Sequence, residues 1–224
     1  MDLPNISETF KIPWPAFLIA LACTFLGNMW TDYLYPNALQ RGSLSFPEQI
    51  QQRARFRKPA LFLALLIFFS NAWSITAMPA LPYVILAISL LLLMTVTDFE
   101  QQVILDEMVF AFALLGLCYV FHLQLPLTDH LLASIGGGLL FLFLAFISKG
   151  ALGGGDIKLI AVLGLWLGWR SLLSVILYGA VMGGVAALLL LLTQKLKRGQ
   201  YFAYGPYFAL SSIGILLKWL RILF

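Results

Sequence analysis

Charge is scarce in this sequence. Of 224 residues only 11% are Asp, Glu, Lys or Arg, while 61% are hydrophobic. That shortage excludes a separate soluble domain, because apolar runs of about 18 residues or more, long enough to cross a bilayer, recur along the chain. Cysteine is nearly absent: Cys23 and Cys118 each fall inside an apolar run. They exclude a disulfide framework and a cysteine zinc site, and are expected to be reduced packing residues. The first residues carry Asp2 and Glu8 ahead of any apolar core and lack a basic n-region, so no cleavable signal peptide is expected. The net charge of +4 is held in short clusters beside apolar runs. That is no footprint for nucleic acid; the expected surroundings are the lipid bilayer.

What is present is an all-α pattern, a polytopic transmembrane helical bundle of about eight segments. The first runs from Pro15 to Trp30, with Trp14, Trp30, Tyr33 and Tyr35 at its ends as interfacial aromatics. A polar loop, Asp32 to Lys58, follows and has a short surface helix after Ser45. Further segments are expected at Pro59–Met78, Tyr83–Thr97, Met108–Leu123, Leu131–Ile147, Ile157–Trp169, Ser171–Thr193 and Phe202–Trp219. The Ile157–Trp169 segment is near the lower length for spanning, and the count falls to seven if it is re-entrant.

Basic residues orient the bundle. With Arg41, Arg53, Arg55, Arg57 and Lys58 in the cytoplasm, alternation brings Lys149, Lys158 and the Lys195–Arg198 cluster to that side. Lys11, Arg170, Lys218 and Arg221 remain opposite, with both termini. Between Asp98 and Asp156 the chain crosses out and back, so two carboxylates return to one face at similar depth.

Asp156 sits in the run Gly150-Ala-Leu-Gly153-Gly154-Gly155-Asp156-Ile-Lys158. A carboxylate at membrane depth costs about 2.5–3.5 kcal/mol on insertion scales, so it marks a functional site by default. Glycines allow positive φ and close approach, and Gly153 and Gly155 are expected to present Asp156, with Lys158 as an auxiliary. Two carboxylates in a low-dielectric site hold one proton between them. The ionised acid can activate water while the protonated one polarises a carbonyl, which is aspartic peptidase chemistry without a metal.

Other readings compete with that one. Asp98 and Asp106 suit helix starts as caps, and Asp106, Glu107 and Glu100 suit a solvated surface. Lys158 suits either a pair with Asp156 or the headgroup region. His122 and His130 are expected at an interface, and the glycines at 136–138 and 183–184 in helix packing. No Gly-Lys-Ser/Thr follows the glycine run, which argues against a phosphate cradle. An ion-coupled transporter using intramembrane acids, or a transferase with Mg²⁺ held by Asp98, Glu100, Asp106 and Asp156, remain open from the residues alone.

Gly153-Gly154-Gly155-Asp156 resembles the GxGD signature of intramembrane aspartic peptidases, and GALGGGDIKLIAVLGLWLGW resembles the segment around the second aspartate of type IV prepilin peptidases. Asp98 with Asp106 resembles the first acidic motif of that family, and Phe202-Ala-Tyr-Gly205-Pro206 its late Phe-Gly-Pro segment. The three matches cover about residues 83–215. The resemblance implies an aspartic endopeptidase of the bacterial inner membrane, with Asp98 and Asp156 catalytic. It implies cleavage of prepilin or type II secretion pseudopilin leaders near the cytoplasmic face, just after a glycine, without a cofactor.

The chain departs from the family in two places. Leu105-Asp106 stands where the family has Pro-Asp or Pro-Asn. The Asp32–Lys58 loop has no cysteine, whereas many members carry paired cysteines there that are associated with zinc and N-methylation. The resemblance therefore implies the peptidase; S-adenosylmethionine is expected only if a methyltransferase activity accompanies it. Residues 1–58 then form a first segment plus a short cysteine-free loop, and residues 59–224 the membrane-embedded peptidase domain.

Overall fold

A computed structural model describes residues 14–75, 79–148, 152–194 and 202–223. The N-terminal acids and Lys11, the Lys149–Ala151 start of the glycine run, and the Lys195–Arg198 cluster lie outside the described residues. Among the described residues every regular element is a helix, with no strand. The long helices are α1 (Trp14–Gln40), α3 (Arg57–Ile75), α4 (Leu81–Gln101), α5 (Asp106–His122), α6 (Leu127–Ile147), α7 (Gly154–Leu192) and α8 (Gly205–Leu223). A one-turn helix, α2 (Ile50–Arg53), flanked by 3₁₀ turns, occupies the expected surface-helix region.

By length and composition α1, α4, α6 and α7 are each able to cross a membrane. Large apolar side chains such as Phe25, Leu132, Phe143, Phe146 and Leu192 face outward. An apolar exterior around a tightly packed interior is what a multi-pass membrane protein requires, since lipid solvates those side chains. α4 is the central helix, buried along most of its length. It packs against α3, α5 and α8, while α7 lies against α5, α6 and α8.

Several segment ends differ from expectation. α1 continues three turns past Trp30, through Pro36, so the polar loop begins only at Arg41. The sixth and seventh predicted segments stand as expected, as two helices that meet at a sharp break at Gly168 (φ 71°, ψ 176°) and share the label α7. At that bend a helix loses backbone partners, which must be replaced. The first turn of α6 supplies them. His130 Nδ1 lies 2.8 Å from the Leu165 carbonyl, and Trp169 N–H donates to Asp129 Oδ2 at 3.2 Å. His130 is thus buried rather than interfacial. A β-carbon at Gly168 would collide with the Asp129 carboxylate, so glycine is required there by both φ and space.

The expected packing glycines divide. Gly136, Gly137 and Gly138 meet Trp169, Leu172 and Ala161, Gly183 meets Tyr204, and Gly184 touches nothing. Cys23 and Cys118 are free thiols as expected, but Cys118 is on the exposed side of α5 rather than in the packing.

Candidate active site

Asp98 lies in the last turn of α4 and Asp156 in the first turn of α7. α4 ends by turning left-handed at Gln102 (φ 51°), whose N–H donates to the Asp98 carbonyl at 2.9 Å. Four residues later α5 begins, with Leu105 as a cap residue that makes no side-chain cap. Asp98 therefore caps no helix start, whereas Asp106, exposed in the first turn of α5, lies at the favourable dipole end as expected although Leu105 holds the cap position. An acid in the last turn of a helix faces the negative end of the macrodipole, the unfavourable end. Asp98 is also only 2% exposed, and its Oδ2 has no hydrogen-bond partner. A costly placement of this kind points to chemistry rather than structure.

Asp156 is positioned in the opposite electrical sense. Gly153 is the cap residue of α7, in extended conformation (φ −69°, ψ 141°), and its backbone N–H bonds back to the Asp156 carboxylate. This is the acidic half of a capping box, with the acid at the third helical position. The glycines here do not use positive φ as expected. Gly154 and Gly155 are already helical, and what Gly155 provides is room: a β-carbon there would sit 3.1 Å from Ile104. That contact lets the start of α7 approach the α4–α5 connection.

The two carboxylates meet at a residue that sequence reasoning did not place in the site. Gly205 opens α8, and its backbone N–H lies against both Asp98 and Asp156. A methyl group on Gly205 would stand 2.6 Å from Asp98 Oδ2 and 3.4 Å from Asp156 Oδ1. The two oxygens are therefore separated by no more than the sum of those distances, close enough for each group to feel the other's charge. The signal for Gly205 was the Gly-Pro dipeptide after an aromatic run, a helix-start signature with proline in the first turn.

Both aspartates line a cavity of about 450 Å³, bordered by Ile104, Gly154, Gly155 and Ser45. Its rim carries two exposed ion pairs, Arg41–Glu107 at 2.7 Å and Lys158–Asp106 at 2.6 Å. Lys158 thus pairs with Asp106 and not with Asp156. Glu100 is buried instead of solvated: Tyr35 Oη donates to it at 2.7 Å and Arg57 Nε lies 3.1 Å away, with Arg57 also reaching Asp32 at 2.8 Å. The loop after α1 adds backbone ties, Ser45 N–H to the Gln101 carbonyl and Phe46 N–H to Gln101 Oε1. Together these hold the turn that carries Asp98. On the other side, Trp166 of α7 donates to the Phe112 carbonyl at 2.9 Å and stacks on Phe112 and Tyr119, which anchors α7 to α5. Glu100 is engaged by Tyr35 and Arg57 and Asp106 by Lys158, and no group of three acids, histidines or cysteines placed to hold a metal ion is found among the described residues.

Residues 84–188 match the Type IV leader peptidase family. The chain carries a type IV leader peptidase domain. Curated relatives named "Prepilin leader peptidase/N-methyltransferase" include that of Stutzerimonas stutzeri, 34% identical over 150 residues (64% of this chain, 50% of that protein). That of Pseudomonas aeruginosa is 32% identical over 157 residues (67% and 52%), and that of Bacillus subtilis 31% identical over 169 residues (72% and 66%). The chain spans about half the length of the first two. No solved structure matches it. The leader peptidase match contains both aspartates and the glycine run and ends inside α7, so Gly205 reaches the site from beyond the matched stretch.

Proposed function

We propose that the protein is an aspartic endopeptidase that removes the leader from prepilins or type II secretion pseudopilins. It does so at the cytoplasmic face of the inner membrane, with Asp98 and Asp156 as its catalytic residues. The observation that carries this reading is the convergence of the two buried carboxylates on Gly205, at the wall of a cavity open to a charged rim.

With one proton shared between them, the ionised aspartate removes a proton from water as the water attacks the scissile carbonyl. The protonated aspartate donates a hydrogen bond to that carbonyl oxygen, and a proton then passes to the departing amine. The Gly205 N–H restrains the carboxylates in facing positions, which is the orientation term of the catalysis. Gly153 fixes Asp156 through its cap bond, and Gly154, exposed and without neighbours around its α-carbon, offers room for an extended substrate. The rim acids Asp106 and Glu107 suit a basic leader whose cations take the places of their present partners, Lys158 and Arg41.

Methylation of the new N-terminus belongs to the relatives' names and would need S-adenosylmethionine as methyl donor. The aspartate pair supplies only the hydrolysis. The test is incubation of a prepilin with membranes containing the wild type or Asp156→Asn, followed by mass measurement of the product. Leader-sized loss with the wild type alone supports the reading, and cleavage by Asp156→Asn at the wild-type rate overturns it. A further gain of one methyl group, only when the methyl donor is added, would establish the second activity.

A further inference from the structure

Away from the aspartates, two adjoining clefts lie between α1 and the α2–α3 turn, with volumes of about 380 and 360 Å³. Asn28, Asp32 and Lys58 line both of them. The first cleft also contains Arg57, whose side chain is only 4% exposed. Arg57 Nη2 is bonded to Asp32 and Nε to Glu100, but Nη1 has no partner. Asn28 is equally buried. Its Nδ2 donates to the Thr24 carbonyl at 2.7 Å, which leaves Oδ1 as an acceptor without a donor. Two residues that line one crevice thus carry an unpaired buried donor and an unpaired buried acceptor, both costly to leave unmade.

The second cleft extends the crevice along an apolar surface. It runs from Asp32 and Lys58 back along α1 past Met29, Phe25 and Leu21, three side chains more than half exposed on the outer face of the helix. Water would satisfy the polar end but gains nothing from the apolar groove. A molecule with a zwitterionic head and a hydrocarbon tail matches both parts. Lys58 lines the crevice with Arg57 and offers a cation, and Asp32, its carboxylate 58% exposed, lines it with Asn28 and offers an anion.

We propose that these clefts form a binding site for one ethanolamine phospholipid. Its phosphate meets Arg57 Nη1 and Lys58, its ammonium meets Asp32 and Asn28 Oδ1, and one acyl chain lies along Leu21, Phe25 and Met29. Because Arg57 also holds Glu100, two residues from Asp98, the bound headgroup supports the turn that carries a catalytic carboxylate.

The headgroup chemistry makes the site selective. A choline headgroup has no N–H for Asn28 Oδ1, and a glycerol headgroup has no cation for Asp32. The test is native mass spectrometry of the full chain in detergent, titrated with dioleoyl phosphatidylethanolamine, phosphatidylcholine or phosphatidylglycerol. One retained phosphatidylethanolamine, with the other two about tenfold weaker, is expected from the loss of one charge-assisted hydrogen bond. Lys58→Ala, an exposed change, and Asn28→Leu should each weaken phosphatidylethanolamine by a similar factor. Glycerophosphoethanolamine, the head without chains, should not displace the lipid. Equal retention of the three lipids, displacement by the chain-free head, or unchanged retention in Lys58→Ala overturns the proposal. The readout is a bound mass, so it stands or fails independently of leader cleavage.

Discussion

Lys158 Nζ stands 2.6 Å from Asp106 Oδ1, joining the second turn of α7 to the first turn of α5 across the rim of the cavity. The pair ties the helix that carries Asp156 to the connection that follows Asp98. Both side chains are more than half exposed, and exposed pairs contribute only about 0–1 kcal/mol. Lys158→Ala should therefore leave the melting temperature nearly unchanged. Its effect belongs to substrate entry: the change frees Asp106 for a basic leader, so KM for a prepilin should fall within about tenfold while kcat holds, as for gained uniform binding. Steady-state cleavage kinetics separate the two quantities.

Replacing the aspartates one at a time should abolish cleavage in both cases yet move stability in opposite directions. With one proton shared by the pair, Asp98→Asn leaves the negative charge on Asp156 at the favourable start of α7, so the variant should melt at or above the wild type. Asp156→Asn leaves it on Asp98, in the unfavourable last turn of α4, and that variant should melt at or below the wild type. Each helix-end contribution is about 0.3–1 kcal/mol. Thermal unfolding in one detergent, compared for the two variants, reads the difference in sign.

Gly205→Ala adds a methyl group 2.6 Å from Asp98 Oδ2 and 3.0 Å from Ile104 Cδ1. Overpacking of this kind costs about 1–3 kcal/mol, which a helix start can partly relieve by shifting. The carboxylates would be pushed apart, and a misplacement of about 1 Å in a catalytic group costs about 100-fold in rate. The variant should accumulate in membranes and bind prepilin but turn it over at least that much more slowly. Pull-down of uncleaved substrate beside a single-turnover assay checks both halves.

Glu100→Ala leaves the Arg57 guanidinium buried with its Nε uncompensated. Loss of one partner from a buried ion pair costs about 3–5 kcal/mol. Tyr35→Phe removes only one hydrogen bond to the same carboxylate, a loss of about 1.5–3 kcal/mol for a charged acceptor. The expected order of melting temperatures is wild type, then Tyr35→Phe, then Glu100→Ala.

The parts of this fold that follow from local rules were readable in the sequence. Apolar runs marked the helices, and alternation across the bilayer returned Asp98 and Asp156 to one end. What escaped depends on pairings between residues far apart in the chain. Glu100 reads as a surface acid until Tyr35 and Arg57 fold over it from the α1 and α3 side. His130 reads as interfacial until α7 breaks against it. Gly205 was visible as a helix-start glycine, but its place between two carboxylates comes from the packing of α8 on α4 and α7. The extra turns of α1 were hidden because Asp32, Tyr35 and Gln40 look like loop, although Asp32 and Tyr35 have partners there.

The break at Gly168 also limits the reach of the helix that carries Asp156. From Gly154 to that break the helix has about four turns and rises about 21 Å. A hydrocarbon core is about 30 Å thick. This half of α7 is therefore too short to join two headgroup layers across an undeformed bilayer. For the peptidase proposed above, the consequence is a short path for its substrate: a membrane-anchored peptide would reach Asp156 by moving sideways within the leaflet instead of leaving it.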